Sequence, residues 1–386
     1  MKNPVANLLF ELLNRSLAPQ RHITAGEPAK TLEHPSHEEW LRLIDIAERN
    51  EVSGLAYDAI SSLPKEQRPD FETLMRWTAA VQSTERDNLL RREMWRNTIG
   101  RLKEEGLQPT LMKGLSLNEF YPNPLHRPVG DIDLFVPIDK QRSYLNCMSA
   151  MGGTYKDMFD AKHVTVTLDN HFWELHFRSQ MFYSRRTDRR YHLLEMEETA
   201  PDSICHQTIE GHEVQVFPPM LNVVFLTAHF QHHLLMEQVT LRQVVDWMLA
   251  IHHDRTALAI SEVKLVRTLR QLGLYRLYRA MGYIAVHRLG YSAEGYAGLT
   301  KFTPTDKVRG HLLLDTLLKG HVPGCQPVAP RLATDGWLAR IKHYIQLCRR
   351  CLALSGIVPR EAMAAPFGFL WYAYQRRRST NRPSTM

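Results

Sequence analysis

Two aspartates at the start of an apolar run are the residues of this chain best suited to chemistry. Asp131 and Asp133 open the run 131–136. In a β-strand, residues i and i+2 point to the same face, so the two carboxylates would lie side by side. Because ionised carboxylates held that close repel each other, the pair predicts a divalent cation between them.

A third carboxylate lies on a later alternating run, 171–177. The alternation places Glu174 and His176 on a polar face, opposite Trp173 and Leu175. Sites that transfer phosphoryl groups hold two metal ions about 4 Å apart between such carboxylates. The two aspartates and Glu174 therefore supply the number and spacing of ligands that Mg²⁺, or Mn²⁺, would need.

Further motifs surround the aspartates in a fixed order. They are Lys113-Gly114, Tyr121-Pro122, Arg127, Gly130-Asp131-Ile132-Asp133 and Glu174-Leu175-His176. Together they resemble the uncharacterised bacterial nucleotidyltransferase group of the DNA polymerase β nucleotidyltransferase superfamily. The resemblance covers most of residues 108–178.

The resemblance implies a role for each motif. Asp131 and Asp133 would bind Mg²⁺ and the triphosphate of an NTP, while Glu174 would complete the metal site and act as base. His176 belongs to the same strand motif and is expected to line the nucleotide site. An enzyme of this kind transfers an NMP to an acceptor and releases pyrophosphate.

The phosphate-binding segment is expected at Lys113 and Gly114. Backbone N–H groups after Gly114, at a helix start, would contact phosphate oxygens, and Lys113 and Arg127 would neutralise the remaining charge. Characterised members of the superfamily carry Gly-Ser here, whereas in this chain Leu115 follows Gly114 and Ser116 comes one place later. This departure leaves two hypotheses, an active enzyme and a nucleotide-binding or scaffold protein with the same fold.

Two candidate sites follow further along the chain. His229, His232 and His233 have the i, i+3, i+4 spacing of one helical face, which fits either zinc or histidines that face the nucleotide domain. Asp246 ends a Leu-x-x-x-x-Asp pattern that resembles a helix of the same group, where it would contact the nucleotide base or the acceptor. An ion pair with Arg242, four residues earlier, explains Asp246 equally well.

The elements that must position these residues divide the chain into three regions. Helical periodicity dominates 1–106, including a long helix over 70–101. Residues 107–218 carry strands at 108–112 and 131–136, a helix at 139–151, and hairpins at 163–177 and 207–217. Helices follow over 219–386, among them 221–236 and 241–252. We therefore expect an α+β fold in which a small mixed sheet is flanked by helical domains.

Composition limits the function classes. The chain has 386 residues, a net charge of +7 and five cysteines at scattered positions, which favours a polyanionic partner and argues against a disulfide framework. With no signal sequence and no membrane-spanning run, the cytoplasm is expected.

The lone motif Cys348-x-x-Cys351 fits buried thiols better than zinc. The tail at Arg376–Arg378 offers a weaker hypothesis of contact with RNA or an anionic membrane.

Overall fold

The computed structural model of the chain describes residues 3–18, 34–155, 162–292, 298–327 and 336–380. From residue 372 to 380 it describes the backbone alone. The side chains of the basic tail therefore lie outside the described residues.

Helices make up most of the described chain. The first group is α1 (Pro4–Leu17), α2 (His37–Arg49), α3 (Ser53–Asp58), α4 (Phe71–Glu104), α5 (Leu115–Asn118), α6 (Gln141–Ala150) and α7 (Arg185–Glu198). The second group is α8 (Pro219–Met236), α9 (Leu241–His253), α10 (Arg255–Ile260), α11 (Glu262–Leu272), α12 (Tyr275–His287), α13 (Pro304–Lys319), α14 (Trp337–Leu354) and α15 (Pro359–Thr380).

Within the described residues, a single mixed sheet holds the strands. They are β1 (Thr110–Leu111), β2 (Ile132–Phe135), β3 (Thr154–Tyr155), β4 (His163–Leu168), β5 (His171–His176), β6 (Cys205–Ile209) and β7 (His212–Val216). Their order is β3-β4-β5-β2-β1-β7-β6. The β2–β5 and β1–β7 pairs are parallel and the other pairs are antiparallel. The expected α+β class and mixed sheet are thus confirmed.

The β4–β5 hairpin fixes the register of one site strand. Its two-residue turn consists of Asp169 and Asn170, with φ of 52° and 60°. A type I′ turn needs positive φ at both central residues, and Asp and Asn tolerate this better than other non-glycine residues. The turn leaves His163 directly opposite His176 and Thr165 opposite Glu174.

Two hydrophobic clusters meet along helix α4. Trp77 and Val81 belong to a cluster built by the early helices together with the helices after residue 218. Trp95 and Ile99, further along α4, belong to a second cluster between the helix and the sheet. The long helix thereby ties the sheet to the helical part, and the three-region division stays a prediction.

The structure corrects several boundaries expected from the sequence. Strand β1 is shorter than 108–112, since Pro109 has no N–H to donate to a neighbouring strand, and β2 is shorter than 131–136. Helix α7 was not expected, because its sequence is highly charged and has few apolar positions. Within the described part of the chain, every helix is too short or too polar to span a lipid bilayer.

Candidate active site

The three predicted carboxylates meet at the junction of β2 and β5. The parallel register places Asp133 beside Glu174, and Asp131 immediately precedes β2. Ligand oxygen atoms of the three residues all lie within 4.8 Å of one another. The strands thus bring together, from positions 41 residues apart in sequence, an all-oxygen donor set of the kind that Mg²⁺ and Mn²⁺ prefer.

Lys113 is the cation that balances this cluster in the structure. Its Nζ lies 3.3 Å from Asp133 Oδ2, and the Asp133 side chain is only 1% exposed. Burial opposes ionisation of Lys113, but the charges of Asp133, Asp131 and Glu174 outweigh it and raise the pKa of the ammonium. Burial likewise opposes ionisation of Asp133, yet Lys113 and His176 hold the pKa of Asp133 below its usual value.

The negative charge of Asp131 is less well compensated than that of Asp133. Burial, followed by the charge of neighbouring Asp133, raises the pKa of Asp131 above its usual value. One lysine therefore does not neutralise the cluster, and an additional cation would stabilise the ionised form of Asp131. The clustered carboxylate oxygens and their mutual repulsion fit a divalent metal ion at this position.

His176 hydrogen-bonds two of the carboxylates. Its Nε2 lies 2.9 Å from Asp133 Oδ1 and 3.0 Å from Glu174 Oε2. Burial disfavours the imidazolium, but these two hydrogen bonds outweigh the burial and raise the pKa of His176. The His176 side chain therefore orients the carboxylates of Asp133 and Glu174. The sequence had predicted only that His176 lines the nucleotide site.

The turn at Gly114 leads directly from Lys113 into the short helix α5. Gly114 has φ 67° and ψ −111°, a combination that glycine adopts far more readily than residues with a Cβ. Ser116 is buried in α5, and its backbone oxygen accepts a hydrogen bond from Gln207. Phosphate binding by this turn and by Ser116 stays a prediction.

His229 on α8 approaches the site from the helical part. Its Nε2 is 3.3 Å from Lys113 Nζ and 3.0 Å from His233 Nε2. Burial, followed by the nearby Lys113 charge, lowers the pKa of His229 well below the usual value. The interpretation that these histidines face the nucleotide domain agrees with this contact.

Among the described residues, the groups with metal-ligand spacing do not include this histidine group or the cysteine pair. His232 stacks its ring on Tyr183, whereas His233 hydrogen-bonds His229 and forms an ion pair of 2.7 Å with Glu237. All five cysteines are free thiols, and Cys351 is buried.

Arg127 and Asp246 form a buried clamp with Tyr121 and Asn118. Arg127 donates from Nε and Nη2 to the two Asp246 oxygens at 2.7 and 2.8 Å, and from Nη1 to Asn118 Oδ1 at 2.8 Å. Tyr121 Oη donates to Asp246 Oδ1 at 2.7 Å. In this structure the donors of Arg127 contact protein groups, and the Arg242–Asp246 ion pair is present at 3.0 Å. The phosphate contact of Arg127 and the contact of Asp246 with the nucleotide base or the acceptor stay predictions.

The comparisons with known proteins agree with this geometry. A family model described as uncharacterised nucleotidyltransferase matches residues 36–290, about two thirds of the chain. The chain belongs to this nucleotidyltransferase family. No curated protein and no solved structure matches the chain.

The matched range of this nucleotidyltransferase reaches well beyond the sheet. It begins just before α2 and ends just after α12, so it includes the carboxylates, the Arg127–Asp246 clamp and His229. The clamp links the segment before β2 to helix α9, which comes more than a hundred residues later within the matched range. Helices that precede and follow the strands in sequence therefore lie within the matched range.

One residue of the nucleotidyltransferase site was missed from the sequence. His163 begins β4, and its Nε2 lies 3.4 Å from Glu174 Oε1. The predicted hairpin already contained the signal, because a two-residue turn at 169–170 fixes the pairs on either side and puts His163 opposite His176.

Proposed function

We propose that the protein is an Mg²⁺-dependent nucleotidyltransferase that moves an NMP from an NTP to a hydroxyl or phosphate acceptor and releases pyrophosphate. The observation that carries this proposal is the set of three carboxylates within 4.8 Å of one another on adjacent parallel strands. Family membership supports nucleotidyl transfer in general. The Mg²⁺ requirement, which Mn²⁺ would also satisfy, belongs to the proposal.

Each site residue has a part in the proposed reaction. Asp131, Asp133 and Glu174 would hold the metal, which supplies charge stabilisation at the attacked phosphate and the leaving pyrophosphate oxygen. The acceptor oxygen attacks the α-phosphorus, its proton passes to Glu174, and the bond to pyrophosphate breaks. Lys113 would contact the triphosphate, together with the backbone that follows Gly114.

The clamp is assigned a positioning role in this proposal. Arg127 and Asp246 contact each other instead of facing the carboxylates, and they join the segment that leads into β2 to helix α9. His229 sits behind Lys113 and limits where its ammonium can point. Ser116 is retained as a phosphate contact of second rank.

The acceptor class stays open between a small molecule, a peptide, a protein side chain and an RNA end. A cytoplasmic site of action and a weak contact of the tail with RNA or anionic membrane are also parts of the proposal.

The alternative of an inactive nucleotide-binding scaffold rests on the missing Gly-Ser. Incubation with labelled NTP, Mg²⁺ and cell extract separates the two, because only the enzyme yields pyrophosphate and a labelled acceptor.

The carboxylates provide the sharpest test. Asp131→Ala and Asp133→Asn should each abolish metal-dependent turnover and weaken Mg²⁺-NTP binding, and their combination should add little, because residues that act as a unit are not additive. Asn is chosen at position 133 because Ala would remove the buried polar group that both Lys113 and His176 contact. Glu174→Gln should abolish turnover while largely preserving nucleotide binding.

Isothermal titration with Mg²⁺-NTP, paired with a thermal melt, measures these effects. Asp139→Ala is the matched control, because this exposed aspartate follows β2 by a few residues and contributes no atom to the carboxylate group. Unchanged nucleotide affinity in folded Asp131→Ala and Asp133→Asn would refute the metal assignment.

A further inference from the structure

A second group of metal-ligand side chains adjoins the three carboxylates. His163, Glu174 and His176 present ligand atoms that all lie within 4.8 Å of one another. Glu174 belongs to both groups, with Oε2 toward His176 and Oε1 toward His163. The second group thus offers two imidazole nitrogens and one carboxylate, where the first offers oxygen alone.

The spacing of these atoms is near that of a tetrahedral metal site. Zinc binds nitrogen and carboxylate oxygen at about 2.0–2.2 Å, so neighbouring ligand atoms of a tetrahedron lie about 3.3–3.6 Å apart. One ligand atom from each residue lies within 4.8 Å of the other two, with His163 Nε2 at 3.4 Å from Glu174 Oε1 and His176 Nε2 at 3.0 Å from Glu174 Oε2. An ion would draw the three side chains together and replace the hydrogen bonds that His176 Nε2 makes to Asp133 and Glu174.

The backbone holds the ligands in place. Both histidines lie on the β4–β5 hairpin as a directly opposed cross-strand pair, and their rings are 5.0 Å apart between centroids. His176 is almost fully buried, while the side chains of His163 and Glu174 are 23% and 22% exposed. The group is therefore partly exposed, through His163 and Glu174.

We propose that His163, Glu174 and His176 form a binding site for a transition-metal ion, with Zn²⁺ as the preferred occupant. Two imidazoles select Zn²⁺ and related ions over Mg²⁺, because Mg²⁺ favours oxygen ligands and octahedral geometry. Three protein ligands with one open position are the arrangement of reactive zinc sites. Since Glu174 is shared, the link to catalysis rests on the proposed function, whereas the binding of the ion does not.

Cobalt titration of the full chain tests the site without any nucleotide. Chelator-treated protein lacking an affinity tag is titrated with Co²⁺, whose visible absorption is strong in tetrahedral or five-coordinate nitrogen-containing sites and weak in octahedral oxygen sites. We expect strong bands that Zn²⁺ removes and that excess Mg²⁺ leaves in place. Weak bands alone, or bands removed by Mg²⁺, would overturn the proposal.

Variants locate the ion. His163→Gln should weaken Co²⁺ binding by more than about 100-fold, since loss of an outer-shell partner alone costs 10–100-fold. His206→Ala is the matched control, because His206 is an exposed histidine on the edge strand β6, and it should bind Co²⁺ as the wild type does. Bands that survive His163→Gln and disappear in His233→Ala would place the ion on α8 and overturn the proposal.

Asp131→Ala separates this proposal from the proposed function. Asp131 is a ligand of the oxygen group only, so this variant should keep the strong Co²⁺ bands while losing Mg²⁺-NTP affinity. Bands retained together with unchanged nucleotide affinity would refute the proposed function and leave the zinc site standing. Bands lost in a folded Asp131→Ala would refute the separate site, because the ion would then depend on the oxygen group.

Discussion

Removal of the Asp246 carboxylate should destabilise the protein strongly, although this residue lies outside the carboxylate cluster. Asp246 accepts four hydrogen bonds, two from Arg127 and one each from Tyr121 and Arg242. The Arg127 and Asp246 side chains are only 2% and 5% exposed. In Asp246→Ala the guanidinium stays buried with its countercharge gone, and breaking such a pair costs about 3–5 kcal/mol.

Thermal melting measures this loss. At about 2.1 cal/mol/K per residue, a chain of this length has an unfolding entropy of about 0.8 kcal/mol/K, so the expected fall in Tm is about 4–6 °C. Asp45→Ala is the control, because it removes an exposed ion pair with Arg49 of similar length, 2.7 Å. Exposed pairs contribute at most about 1 kcal/mol, which corresponds to a fall of about 1 °C.

A compensated variant distinguishes the clamp from simple loss of packing. Replacing Tyr121, Arg127 and Asp246 together by Phe, Met and Leu removes the polar atoms of these three side chains at once, while Asn118 Oδ1 loses one donor and Arg242 keeps its ion pair with Glu51. Such replacements are often neutral for stability, so the triple variant should recover at least half of the lost Tm. The explanation is refuted if Asp246→Ala melts within 1 °C of the Asp45→Ala control, or if the triple variant melts below Asp246→Ala.

Two further substitutions test other parts of the structure. Gly114→Ala should lower the free energy of unfolding by about 1–3 kcal/mol, because alanine is strained at the positive φ of this position. An added Cβ would make only an ordinary contact of 3.7 Å with the Asp131 carbonyl oxygen, so backbone strain and not a clash causes the loss. Denaturant titration measures the loss, and an unchanged midpoint would contradict a positive φ at Gly114. Burial raises the pKa of Glu361 to about 7 although backbone N–H groups of Tyr183 and Ser184 donate to it. The folded state then binds more protons than the unfolded state, so stability should fall as pH rises from about 4.5 to 7. Glu361→Gln should lack this fall in melts across that range, and identical pH profiles of the two proteins would contradict the raised pKa.

The sequence was sufficient for the elements whose signals are local. The alternating runs around Asp169-Asn170 predicted the β4–β5 hairpin, and the i, i+2 spacing of Asp131 and Asp133 predicted their shared direction. Such patterns depend on backbone geometry within a few residues. Helices α8 and α9 followed from the same kind of local signal.

The roles of Arg127 and His176 depended on contacts distant in sequence. Arg127 finds its partner on a helix 119 residues later, and no local pattern shows whether an arginine will face phosphate or a buried carboxylate. His176 acquires its role because β2 and β5 become neighbours. Helix α7 was missed for another reason. Most of its residues are charged, and the few that are buried, such as Tyr191 and Leu194, do not form a recognisable apolar period.

The position of α1 has a consequence for how the chain is made. Arg288 covers the ring of Phe10 at 4.5 Å and donates to Asn7, while Asn14 donates to the Arg288 backbone oxygen. At about 5–20 residues per second of synthesis, the ribosome needs about 15–55 s to travel from the end of α1 to Arg288. Throughout that interval this part of the apolar side of α1 lacks its final cover, and the contacts that α1 can form earlier are those with α2 and α3.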